Sequence, residues 1–571
     1  MILKQRINGL NSVKKSEYNK INNKINDNIG NSIDNKIKNK IFITILVLSL
    51  SLISVAILGG LLFSLIKLDI PPEIEYRVSR GQGQSLNVTM RVNKSFFSKT
   101  GDVVFTADNT AIKVISCQDS RNAGRPYYYN DNIIEISTPR GDYVDFTYNA
   151  PISAVGKHGY RGKIDENYLV FDGAQVFLLP SAYYSYDDGE VSKAVGNIKL
   201  IFNFKNDWVE IVPPKEVKSP SWADLNGLLH NAFVFGDFVK LKEYKGMSIF
   251  ALRNDYNENY ENDERETGFI NLYDYYSNLF SSQLEHFNVA LLPADTETGL
   301  PIIGGAGKTA VAASFDESLL RDWQLLSHRM FHAFFDTRIA APNIYAAPNL
   351  WLYEGLATYY ENMSMGALHD DLKNRIGANP DGQFAELFSQ YLYMLLKYPQ
   401  YFGFPPMMEA EITHTGALVE FLHYTAAPII VRALEEASGE PHSLLRYCIE
   451  NAETLGDSPL AYEAALALLG DNSTQFCENY LLNAGIPPLW HLGAYMPQDE
   501  VTTLRILNYI EYVMSSWFAV DNPDYKGNIV NEEDLHDILA QAKNSPSKFD
   551  NENLGNSVRD YSFTLYAILN S

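Results

Sequence analysis

Basic residues are in short supply in this sequence. The chain of 571 residues holds 46 Lys and Arg against 69 Asp and Glu, a formal net charge of −23. The shortage is uneven: residues 1–40 carry a net charge of +6 and the remainder −29. So acidic a body repels a phosphate backbone, which excludes nucleic acid as a partner. Cysteine is scarcer still. Cys117, Cys448 and Cys477 are the only three, with no C-x-x-C spacing, so zinc held by paired cysteines is excluded. Cys448 and Cys477 fall in neighbouring expected helices, where they either pair or, like Cys117, stay as buried thiols.

Two glycine-bearing loops also lack what their chemistry needs. The GAGKT segment would be a phosphate loop only with a glycine at position 302, which is Ile302. The segment NPDYKGNIVNEE, with Gly527 at the turn, resembles a calcium loop. It puts Lys526 on a ligand position, and a plain inter-helix turn is expected instead.

Long apolar runs are absent but for one. Residues 41–66 are 26 uncharged, mostly apolar residues. At about 1.5 Å per residue they are long enough to span a bilayer with some tilt. The run is too long for a cleaved signal peptide, and no small-x-small site closes it. Lys36, Lys38 and Lys40 crowd its N-terminal side. A single-pass signal anchor is therefore expected, with the basic tail 1–40 cytoplasmic and the bulk of the chain extracytoplasmic. The membrane is the first expected partner.

Beyond the anchor the patterning changes several times. Residues 71–217 alternate polar and apolar in short runs such as SLNVTMRV and NIKLIFNF, punctuated by Gly, Asn, Asp and Pro, which predicts an all-β sandwich domain. Residues 218–380 mix strand-like runs (KGMSIFALRN, FNVALLPA, TAVAASF) with helical ones, an α+β pattern. Residues 381–490 show apolar positions three and four apart and read as a helical domain. Residues 491–571 read as a helical C-terminal extension.

The chemistry concentrates in SHRMFHAFFDTRIAAPNIYAAPNLWLYEGLATYYE, residues 327–361. His328 and His332 are four apart, so on a helix they share one face. Two imidazoles so placed, with Glu354 on a following helix, are a candidate zinc site. Pro342 and Pro348 would make the turn between the helices.

At these residues the chain resembles the gluzincin zinc metallopeptidases, and within them the glycyl aminopeptidase family. His328, Phe331, His332, Arg338 and Ile339 stand in register with one family motif. Pro348, Leu350, Trp351, Glu354, Gly355, Thr358, Tyr359 and Tyr360 follow the next. NDWVEIVPP, HNAFVFGDF and FCENYLLNAGIPPL extend the likeness to roughly residues 71–490. The resemblance implies a thermolysin-like α+β domain flanked by the β sandwich and the helical region. It also implies zinc on His328, His332 and Glu354, and Tyr424 as stabiliser of the oxyanion. The family's Gly three residues after that tyrosine is Ala427 here.

Two departures touch the chemistry itself. Arg329 stands where the family has the Glu that takes a proton from the attacking water, and a guanidinium has donors only. Within GGAGK, residues 304–308, Gly307 stands where the family's Glu holds the substrate's amino end, with Lys308 beside it. A cation next to the dication also weakens zinc: at about 5 Å and an effective dielectric of about 20, a unit-charge pair is worth roughly 3 kcal/mol. Arg329 would relieve this by swinging to solvent or onto Asp336 or Glu361. Three functions remain open from sequence, the first of them expected and the others its alternatives. One is a catalytically impaired zinc-peptidase homologue that binds peptide or protein. Another is an active enzyme with a displaced base, Arg329 and Lys308 holding an anionic substrate group. The last is a metal-free structural surface protein.

Overall fold

The computed structural model describes residues 72–495 apart from internal stretches, the longest being 153–161, 181–196, 293–309 and 398–415. The basic tail, the apolar run 41–66, Gly307, Lys308 and residues 496–571 lie outside the described residues. Among the described residues no helix is long and apolar enough to cross a membrane.

The alternating runs form strands. A six-stranded sheet runs in the order Glu216–Val217, Ile198–Asn203, Ile74–Arg80, Ser85–Asn93, Tyr143–Pro151, Lys113–Asp119. Ile74–Arg80 shows why: Ile74, Tyr76 and Val78 are buried while the residues between them are not, the two-residue period of a strand with one face in a core. A four-stranded sheet of Leu179–Pro180, Val103–Thr106, Ile133–Ile136 and Tyr127–Asn130 faces it. Phe146 and Tyr148 of the first sheet and Phe105, Ile134 and Ile136 of the second share one apolar core.

A third sheet carries the chain onward. Its central strands, Tyr168–Asp172 and Ala232–Gly236, are buried on both faces and pair antiparallel, Ala232 opposite Asp172. The chain thus returns to the β-rich part after the change of pattern at 217/218. Between these strands lies the helix Trp222–His230, packed so closely on the turn after Asp172 that a Cβ on Gly173 would meet Leu228 O at 1.9 Å.

The fourth sheet leads into the chemistry. Phe238–Tyr244 and Met247–Leu252 pair antiparallel, and Phe287–Leu292 and Ala310–Ser314 then add in parallel. A parallel neighbour needs a crossover, supplied by the helix Asp263–Leu279. The next element is the histidine helix, Leu320–Arg338, followed by the glutamate helix, Leu350–Ser364. Phe269, Tyr273 and Tyr276 of the crossover helix, with Phe280 just past its end, share a core with Trp323, Phe331 and Phe334 of the histidine helix. Gly268 permits that approach, since a Cβ there would fall 2.4 Å from Trp323. Most of the remainder is helical, including Pro380–Lys397, Gly416–Phe421 and Ala427–Ser438. Cys117, Cys448 and Cys477 are free and buried, so of the two alternatives for Cys448 and Cys477 the structure shows unpaired thiols.

Candidate metal centre

His328 and His332 lie on one face of the histidine helix, as their spacing requires, and both are buried, 5% and 1% exposed. Glu354 approaches from the second turn of the glutamate helix. Gly355 fixes how closely that helix packs: a Cβ there would lie 2.6 Å from the Cβ of Ala427. Glycine at this position lets the glutamate helix seat against Ala427–Ser438.

The three side chains converge on one point. The two histidine Nε2 atoms are 2.9 Å apart, and Glu354 Oε2 is 3.2 Å from that of His328 and 3.5 Å from that of His332. Tetrahedral zinc with bonds of about 2.0–2.2 Å separates its ligand atoms by about 3.3 Å. The donor triangle matches that spacing, and two nitrogens with a carboxylate oxygen is a zinc-type donor set.

The protonation of two of the three donors, His332 and Glu354, suits a metal, whereas His328 is shifted toward its charged form. Burial alone would lower His328, but hydrogen bonds and charge from Glu354 and Glu361 outweigh it and raise it overall. Burial pushes His332 down to about 4; Glu354 opposes this, while the charges of His328 and Arg329 add to it. Burial would raise Glu354, yet the two imidazoles hold its carboxyl well below the usual range. A neutral His332 and an ionised Glu354 are the forms that bind a metal.

Around the donors sits a supporting set that the sequence reading did not assign. Glu361, seven residues after Glu354 and hence on nearly the same helix face, accepts from His328 Nδ1 at 2.9 Å. In the neutral imidazole this would hold the proton on Nδ1 and turn the Nε2 lone pair toward a metal. The spacing of Glu361 carried that signal. A buried chain then locks the helices in register. Tyr276 Oη is 2.7 Å from Ser327 Oγ, which is 2.6 Å from Ser364 Oγ, and Ser364 Oγ donates to Glu361 O at 2.9 Å. Nothing in the sequence ties Tyr276 to Ser327, 51 positions on. Gln324 adds a second cross-link by donating to Asn362 Oδ1 at 2.8 Å. The Tyr353 ring packs 4.3 Å from that of His332, and its hydroxyl donates to Asp336.

Arg329 is half-buried. Of the two carboxylates near it in the sequence reading, Glu361 accepts from His328 and Asp336 from Tyr353. Arg329 and His328 both line a cleft of about 540 Å³ that also takes in Arg321, Glu361, Glu386, Glu420 and Tyr424. Tyr424 sits in a single π-helical turn, Leu422–Ala426, a distortion often found at functional sites. The turn leaves Tyr424 39% exposed, its ring 6.0 Å from that of His328. Thr425 in the same turn donates to Gln390 Oε1 at 3.1 Å, which ties the turn to the helix Pro380–Lys397. The structure thus brings His328, His332, Glu354, Arg329 and Tyr424 to one place.

No family model and no curated protein sequence matches the chain. Solved structures do. An aminopeptidase N family protein from Idiomarina loihiensis matches with a TM-score of 0.53 at 14% identity, over 75% of this chain and 80% of that one. An M1 zinc metallopeptidase from Deinococcus radiodurans (TM-score 0.42, 11% identity, 73% and 94% of the two chains) is a looser match. So is yeast LTA4 hydrolase in complex with bestatin (0.45, 11%, 84% and 86%). The β-rich N-terminal part followed by a helical region resembles the fold of the Idiomarina protein, and at this identity the likeness is one of fold.

Proposed function

We propose that the chain is a membrane-anchored, extracytoplasmic homologue of the glycyl aminopeptidase-type zinc metallopeptidases, catalytically impaired, that binds a peptide or protein in its cleft. Its anchor would be residues 41–66. The observation that carries the reading is Arg329. It lines the same cleft as His328, one residue on, where the resembling family places its proton acceptor.

His328, His332 and Glu354 would hold zinc, with Glu361 fixing the first imidazole. Zinc supplies Lewis acidity when bound. Tyr424 offers a hydroxyl at the cleft surface from which to donate to a bound carbonyl. Arg329 offers donors and a fixed positive charge but accepts no proton. A general base contributes about 10²–10⁴-fold to a reaction of this kind, so its loss leaves the cleft a binding site first.

The test is metal content and turnover together. Full-length protein purified without chelator is expected to carry near-stoichiometric zinc and to release little from aminoacyl reporters. Turnover at rates typical of metallopeptidases, abolished by chelation, would contradict impairment. Absence of zinc would favour a purely structural protein.

Glu386 and Glu420 in the cleft favour a second reading, an active enzyme with a displaced base. That reading predicts robust turnover lost in Glu386→Gln or Glu420→Gln.

A further inference from the structure

The cleft is lined by charged side chains of both signs. Arg321 and Arg329 come from one element, the histidine helix, and line it beside His328. Glu386 comes from the helix Pro380–Lys397 and Glu420 from Gly416–Phe421, and both line the same space. Glu361 also lines it, but its carboxylate accepts from His328 Nδ1. The volume, about 540 Å³, falls in the range of small-ligand sites, roughly 300–1,000 Å³. A cleft with guanidinium groups from one helix and carboxylates from two others fits a short ligand that is itself charged at both ends.

We propose that the cleft binds a short peptide by its free α-carboxylate, with Arg329 as that carboxylate's partner and Glu386 and Glu420 facing its ammonium end. The inference rests on the peptide-binding reading above and specifies how the peptide lies. A guanidinium offers two parallel N–H donors that match a carboxylate, and such a charge-assisted pair is about twice as strong as a neutral one. The peptide's acidic end therefore rests beside His328, next to the metal donors. Seen this way, Arg329 is a ligand-binding residue in its own right. It turns a cleft suited to opening a peptide bond into one suited to recognising a chain end.

The test uses the full-length chain, zinc-loaded and chelated, and calorimetric titration with Ala-Ala, Ala-Ala amide and N-acetyl-Ala-Ala. Amidation, which removes the carboxylate, is expected to weaken binding about tenfold or more. In Arg329→Gln that difference should shrink to about twofold or less, with Arg329→Lys between the two. N-acetylation should weaken binding less than amidation. Thermal melts of both variants establish that they are folded. The inference is overturned if the amide binds as tightly as the acid, if the preference survives intact in folded Arg329→Gln, or if Ala-Ala does not bind. Release of free alanine is followed in the same samples. Rapid release counts against catalytic impairment, and failure to take up zinc counts against the metal site. The acid–amide difference reads Arg329 independently of either.

Discussion

The β-rich part and the helical part of the described chain bury different things. In the two facing sheets each strand's apolar contribution to the core follows from alternation along its own sequence, as in Ile74–Arg80, and the few buried polar residues there, Ser85, Asn109 and Asp119, bond to backbone groups. Around the histidine helix the interior also takes in Ser327, His328, His332, Asp336, Asn362 and Ser364. Burying a polar group costs free energy unless it is paired, and several here pair across helices: Ser327 with Tyr276 and Ser364, His328 with Glu354 and Glu361, Asp336 with Tyr353. The sheets are therefore stabilised by area removed from water, and the helical region carries in addition a polar network whose geometry serves the metal donors.

That contrast can be broken at chosen positions. The largest effect is expected at Glu354. Glu354→Gln removes the ionised donor, and near-stoichiometric zinc content should fall below detection by elemental analysis while the protein stays folded. Retained zinc would mean that the donor triangle is not the site.

A stability effect should come from the other region. Phe146 is fully buried, its ring 5.7 Å from Tyr127 and 5.9 Å from Tyr148. Phe146→Ala should cost about 3–5 kcal/mol in denaturant unfolding, with zinc content unchanged in the folded fraction. Loss of zinc from folded protein would show that the regions are coupled more tightly than the contrast allows.

A smaller effect is expected at Glu361. Glu361→Gln keeps a hydrogen-bond acceptor for His328 Nδ1 but loses its charge. Zinc affinity, measured by chelator competition, should fall about 10–100-fold. No change would make Glu361 a bystander.

How much of this was legible beforehand follows from the same contrast. The sandwich strands could be read because a two-residue period is local. The histidine pair could be read because i and i+4 share a helix face, and Glu354 through a resemblance of motif. Glu361 reads from sequence as a counter-charge for Arg329; its spacing from Glu354 puts it on the donor face, but its seat against His328 depends on how two helices cross. The link from Tyr276 through Ser327 to Ser364 was illegible for the same reason. So was the π-helical turn that presents Tyr424, a local excess of one residue per turn with no composition of its own. Arg329 was legible as a substitution. Its place in the cleft, beside carboxylates from two further helices, needed the fold.

On the proposed function, a permanently cationic side chain occupies the place from which water would lose its proton, beside a donor triangle that fits zinc. Arg329→Glu tests it most directly. With zinc loaded, the variant is expected to gain chelator-sensitive aminopeptidase turnover of about 10²–10⁴-fold over the unmodified chain. A zinc-loaded, folded variant no faster than the parent, or a parent already at full metallopeptidase rates, would contradict the account.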